Sequence, residues 1–199
     1  MIFRSKKTFS DPTAKEATAD ASVRRKRKKA VKRAFFHTAN VSVFIAAAGL
    51  LIASFLFPLM MISGDSMEPG LNDGDLILLM KTHELQHGDL VAFKWNNKTL
   101  LKRVIACAGD WVIIDKTGRV YVNGALLDEP YVSEYKVGES NAAYPLQVPD
   151  GSYFVMGDER ASSLDSRNTL VGCVNHDQII GKSIACIWKQ QRTNAPAES

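Results

Sequence analysis

Hydrophobic residues follow two regimes along this chain. From Ala39 to Met61 they run almost unbroken, and between Arg33 and Asp65 there is no Asp, Glu, Lys or Arg. A helix needs about 20 apolar residues to cross roughly 30 Å of hydrocarbon, so the run predicts one transmembrane helix over residues 39–61. Pro58 lies near its outer end, where a kink or a stop is tolerated. A cleaved signal peptide would have a shorter apolar core, about 7–15 residues, and a buried helix this long without charge is rarer still. Beyond the run the pattern changes. LILLM (76–80), DLVAF (89–93), LLKRVIA (100–106), WVII (111–114), VYV (120–122), YFVM (153–156) and IIGKSIACIW (179–188) are short apolar stretches. WNNK, DKTG, VNG and VPDG between them are turn chemistry. No long segment carries a helical apolar face. Residues 62–188 therefore read as a mostly β body, a sandwich or barrel, and residues 189–199, ending in QQRTNAPAES, as a polar tail.

Charge orients this layout. Residues 1–33 hold 12 Lys/Arg and 3 Asp/Glu, leaving 13 basic and 18 acidic residues for the remainder. RRKRKKAVKR, residues 24–33, is eight-tenths basic. Alone such a run reads as a nuclear-targeting or nucleic-acid patch. Directly before a membrane span it reads as the flank that stays cytoplasmic and touches anionic lipid. The expected order is a disordered cytoplasmic tail (1–22), a basic juxtamembrane segment (23–38), the span, and an extracytoplasmic body. The mildly acidic body argues against nucleic acid as a partner. Cys107, Cys173 and Cys186 make no disulfide framework, and no Cys or His spacing reads as a zinc site.

Candidate chemistry begins just past the apolar run, in ISGDSMEPG (62–70). A serine hydroxyl is a weak nucleophile until a base takes its proton. His83, His87 and His176 sit among polar loop residues and His37 on the near side of the span, none flanked as in a triad. A lysine can serve instead if its pKa of about 10.4 falls to about 7–8, a drop that burial supplies. Lys102, in LLKRVIA, has the most apolar setting of any lysine in the body. On a strand it and Arg103 face opposite sides. Taken alone, a lysine in a strand is an ordinary surface charge.

SMEPGL (66–71), GDLVAF (88–93), KRVIACAGD (102–110) and GDERASSLDSR (157–167) occur in this order behind the anchor. Together they resemble the sequence boxes of bacterial type I signal peptidases, over about residues 60–188. That resemblance implies a membrane-bound serine endopeptidase that removes N-terminal signal peptides after small residues of the A-x-A kind. It implies a Ser-Lys dyad working through an acyl-enzyme, with no metal or cofactor. Implied partners are signal-peptide-bearing preproteins, the lipid bilayer and the secretion translocon, at the plasma membrane as a single-pass protein with the N-terminus inside. Residue by residue, Ser66 resembles the nucleophile, with its own backbone N–H in the oxyanion hole, and Lys102 the general base. Ser163 matches the serine that orients the lysine. Asp165 and Arg167 match a structural ion pair, and Asp158 and Arg103 supporting positions. Ile62, Ser63, Met67 and Leu101 match substrate-pocket positions, although each also reads as an ordinary core residue. The family fold is β-rich. Only residues 111–156 separate the lysine box from the GDER box, so any cap must be small.

Three positions depart from the family pattern. Gly70 replaces the usual Thr and Glu159 the usual Asn. Gly64 stands where some members place a serine that donates to the oxyanion. One rival enzyme reading is a sortase-like transpeptidase using Cys173 of NTLVGC, which leaves all four boxes unexplained. A LexA-like self-cleaving protein would carry a DNA-binding domain, which is missing here. A tethered binding module without catalysis would not need both Ser66 and Lys102.

Overall fold

The computed structural model describes residues 12–82 and 84–190, with only the backbone for much of 12–34. Residues 1–11 of the expected N-terminal tail, His83, and residues 191–199 of the C-terminal tail lie outside the described residues. The chain divides into two compact units, Met1–Ala53 and Ser54–Ser199.

Helix α1 spans Pro12–Leu56. It begins inside the stretch expected to be disordered and ends before Met61. Its segment Phe35–Leu56, 22 residues of mean hydropathy 2.1, is long and apolar enough to cross a membrane, and none of it is buried by protein. Phe44, Ile45, Leu50 and Leu51 expose most of their surface, which is what a bilayer-facing side chain would do. The helix ends where Pro58 disfavours helical geometry for the residue before it. The apolar run continues past that end as a strand.

That strand, β1 (Leu59–Met61), opens the body. It is followed by β2 (Leu76–Met80), β3 (Leu90–Trp95), β4 (Lys98–Ala106), β5 (Trp111–Ile114) and β6 (Val120–Val122). Then come β7 (Ala125–Leu126), β8 (Leu146–Gln147), β9 (Ser152–Met156), β10 (Val174–Asn175) and β11 (Ile179–Trp188). Seven of these form one sheet in the order β1-β2-β11-β3-β4-β9-β10, and four form a smaller one in the order β7-β6-β5-β8. All pairings are antiparallel. The body is thus mostly β behind one apolar helix, as the hydrophobic pattern predicts.

β4 is the spine of the body. Leu101 packs with Ile62, Met67, Ile77 and Ala92 in one buried cluster. Val104 joins Val91, Phe93 and Val155 in a second. Ile105 joins Val112, Val120 and Phe154 in a third, where the two sheets meet. A strand fixed in three clusters holds its side chains to well-defined positions, because cores pack at crystal-like density. Lys102 lies between Leu101 and Arg103 on this strand, opposite Val91 of β3.

Candidate active site

Residues 62–75 leave β1 and turn back into β2. Ile62 N–H donates to Asp75 O at 2.8 Å and Gly74 N–H to Ile62 O at 2.9 Å, closing the loop at its base. Gly64 adopts a φ of +94°, a conformation that favours glycine, and its N–H donates to Asp73 Oδ1 at 2.8 Å. Met67 is only 1% exposed and anchors the loop in the cluster below. Its neighbour Ser66 is left half-buried with its hydroxyl toward β4.

Ser66 Oγ lies 2.6 Å from Lys102 Nζ. Lys102 is only 3% exposed, so it is not the surface charge that its strand position alone suggested. Burial pushes its pKa down from 10.5 to about 8. Asp165 opposes that shift and Arg167 reinforces it, with smaller upward pulls from Asp158 and Asp65. At such a value roughly a tenth of the lysine is neutral at pH 7.

The third segment is the loop from Gly157 to Arg167. Its Glu159 N–H donates to Ser66 O at 3.1 Å, tying it to the serine loop. A Cβ on Gly157 would lie 2.2 Å from Ser163 Oγ and 2.6 Å from Ser66 O, so both serines pack against a bare backbone. Asp165 accepts from Arg167 Nε and Nη2, each at 2.8 Å, in a fully buried pair. Burial would raise the Asp165 pKa, but the Arg167 bonds and charge hold it below the ordinary carboxylate value. Asp158 accepts from Arg103 Nε at 2.8 Å and Nη2 at 2.6 Å, and Arg103 stacks over the Tyr131 ring at 3.9 Å.

Ser163 is 2% exposed, and its hydroxyl makes no hydrogen bond to Lys102. It lies close enough to Asp165 to help hold that carboxylate down. Ser162 points elsewhere, with its Oγ 3.4 Å from Asp65 Oδ1. Ile62, Ser63, Met67 and Leu101 border one cavity of about 80 Å³ together with Ser66 and Lys102. A larger cavity, about 360 Å³ between Lys81, Lys94 and His176–Ile180, shares none of these residues.

A second fully buried ion pair joins Arg160 to Glu129. Arg160 Nε also donates to Gly157 O at 3.1 Å, and Tyr131 Oη donates to Glu129 Oε1 at 3.1 Å. Arg160 stands inside the GDER box, but nothing in the spacing of the sequence marks Glu129 or Tyr131 as its supports. Cys173, the nucleophile of the rival reading, is half-buried, and burial pushes its thiol up to about 11. A reactive cysteine needs the opposite shift.

The chain matches the family described as signal peptidase, peptidase S26, over residues 35–188. It is similar to signal peptidase I of Bacillus amyloliquefaciens, 35% identical over 169 residues, covering 79% of this chain and 90% of the relative. Signal peptidase I T of Bacillus subtilis (strain 168) is 38% identical over 154 residues, covering 71% and 79%. Signal peptidase IB of Staphylococcus aureus (strain Mu50) is 34% identical over 169 residues, covering 74% and 87%.

Proposed function

The chain belongs to the signal peptidase family, peptidase S26, and we propose that it cuts with Ser66 as nucleophile and Lys102 as general base. The enzyme is a signal peptidase I: a serine endopeptidase that removes N-terminal signal peptides from exported preproteins, carried on a membrane-anchoring apolar helix. The observation that carries the residue assignment is the 2.6 Å contact between Ser66 Oγ and a buried lysine whose pKa falls to about 8.

The mechanism follows from that contact. Neutral Lys102 accepts the Ser66 proton as Oγ attacks the scissile carbonyl. The resulting oxyanion needs donors worth about 2.7–4 kcal/mol each. The family resemblance assigns the Ser66 N–H to this role, and the Gly64 N–H is already engaged by Asp73 Oδ1. Charged Lys102 then gives its proton to the leaving amine. Water, deprotonated by the same lysine, attacks the acyl-enzyme and frees Ser66. The cavity beside the serine, about 80 Å³, is too small for an aromatic side chain, which suits cleavage after small residues.

The orientation is part of the same proposal: N-terminus in the cytoplasm, a single span, and the body outside. The basic run before the span supports it. Ser66 follows the apolar run by a few residues, so nucleophile and membrane-inserted substrate share one thin layer, which raises effective concentration. The bilayer is then a partner, and so is the translocon that delivers the preprotein.

The test uses the detergent-solubilised chain and a purified preprotein, with N-terminal sequencing of the product. Only neutral lysine acts as base, so kcat/KM should rise about tenfold per pH unit below pH 8 and level off above it. A flat profile from about pH 6 to 9 would remove Lys102 from the role. Ser163 Oγ makes no hydrogen bond to Lys102 in the resting site; if it turns toward the lysine during turnover, Ser163→Ala should lower turnover about 10-fold to 10³-fold, the scale of a lost positioning or proton-transfer partner. Ser162→Ala should stay within about threefold of wild type. The reverse order would place the lysine-orienting hydroxyl at Ser162.

A further inference from the structure

At the end of β4, the fold brings together three side chains that sequence spacing did not connect. His87 lies in the connection from β2 to β3. Cys107 and Asp110 lie on the turn from β4 to β5. One potential ligand atom from each falls within 4.8 Å of the other two. Donors in a tetrahedral zinc site sit about 3.3–3.8 Å apart, given metal–ligand distances of about 2.0–2.3 Å. Small rotations about side-chain bonds would bring the three into that range.

Both halves of the cluster are held in place by their own backbones. Cys107 N–H donates to Asp110 Oδ2 at 2.8 Å, and Asp110 N–H to Cys107 O at 3.0 Å. Asn123 Nδ2 donates to Asp110 Oδ1 at 2.7 Å, the kind of outer contact that orients a metal-binding carboxylate. Across from the turn, Gly88 N–H donates to Val104 O at 2.8 Å and Gln86 N–H to Asp89 Oδ2 at 2.8 Å. His87 Nε2 faces Asp110 Oδ2 at 2.9 Å. The Cys107 thiol is engaged only by a long 3.8 Å contact to Leu85 O. His87 is exposed, so an ion could reach the cluster from solvent.

We propose that His87, Cys107 and Asp110 bind one divalent ion of the Zn²⁺ type, with solvent as the fourth ligand, on the turn joining β4 to β5. The mixed nitrogen, sulfur and oxygen set suits Zn²⁺ or Co²⁺ and not Mg²⁺ or Ca²⁺, which demand oxygen. Binding forms one metal–sulfur bond as the Cys107 proton leaves to solvent. It also replaces the His87–Asp110 hydrogen bond by two metal bonds. The ion would clamp the 85–89 segment to the β4–β5 turn and takes no part in peptide cleavage.

Co²⁺ titration of the full chain in detergent tests this directly. Tetrahedral visible bands and a near-ultraviolet thiolate charge-transfer band are expected, both bleached by Zn²⁺. Cys107→Ser should abolish the charge-transfer band, and His87→Ala should weaken Co²⁺ binding at least about 10-fold. Cys173→Ser and Cys186→Ser should leave the spectrum unchanged. Preprotein cleavage by each variant without metal reports that it is folded, and His87→Ala, at an exposed site, keeps the test open if Cys107→Ser is not. No thiolate band, a band that survives Cys107→Ser, or binding unaffected by His87→Ala in a folded variant would each overturn the proposal.

Discussion

A Lys102→Met variant is expected to cleave no preprotein and yet to melt at a higher temperature than the wild type. The two effects share one cause. Lys102 is 3% exposed, and its pKa falls from 10.5 to about 8 because burial penalises the ammonium. At about 1.4 kcal/mol per unit, that shift corresponds to about 3 kcal/mol of stability lost to a charge held out of water. Methionine keeps the length and apolar stem and removes the charge. For a body of this size a gain on that scale would raise Tm by about 6–12 °C. The pH dependence fixes the sign. Between pH 8 and 10.5 the unfolded chain still holds the proton that the folded chain has released, so this group makes wild-type stability rise with pH there. The advantage of the methionine variant should be complete below about pH 8 and gone by about pH 10.5. Thermal melts at pH 7 and pH 10 would show it. Equal melting of both proteins at pH 7 would mean that Lys102 carries no such cost. Stability given up for a reactive group is a common trade at active sites.

An Arg167→Met variant should lose stability on the scale of about 3–5 kcal/mol, the usual cost of removing one partner from a buried ion pair. Both side chains of the Asp165–Arg167 pair are fully buried. Arg167 also donates to Val137 O and Arg160 O, each at 2.9 Å, and these carbonyls would lose a donor as well. The functional consequence is separate. Asp165 pulls the Lys102 pKa upward and Arg167 pulls it downward. Without the arginine, Asp165 would favour a charged lysine, and the rise of activity with pH would move to higher pH. Adding Asp165→Asn should restore part of both properties, because it removes the unpaired charge. Urea melts and a pH–rate profile for the single and double variants would check this. An unmoved pH profile in a folded Arg167→Met variant would show that the pair acts on packing alone.

The apolar run and the longer strands were legible because burial writes itself into sequence. LILLM, WVII, VYV and IIGKSIACIW coincide with β2, β5, β6 and β11. β7, β8 and β10, two residues each, leave too short a pattern to read. β1 was hidden for the opposite reason: its Leu-Met-Met is as apolar as the helix before it. At the site, the four boxes pointed to Ser66 and Lys102, and the geometry brings the two side chains into contact. Glu129 and Tyr131 were invisible. Their importance lies in what they meet across the fold, and a lone Glu near a Tyr carries no local signature. That the Ser163 hydroxyl stays off Lys102 was equally beyond reach, since a hydroxyl's direction is a tertiary property.

The order β2-β11-β3 places the last strand of the chain between two of the earliest. As the chain is synthesised, β2 and β3 emerge roughly eighty to a hundred residues before the strand that joins them. Until Ile179–Trp188 arrives, the serine loop that leads into β2 and the lysine strand beyond β3 have no shared sheet. Such long-range closure is slow compared with local structure. A chain that stops short of β11 would hold Ser66 and Lys102 without the strand that places β2 and β3 in one sheet. Cleavage is therefore expected only once Ile179–Trp188 has paired with both β2 and β3.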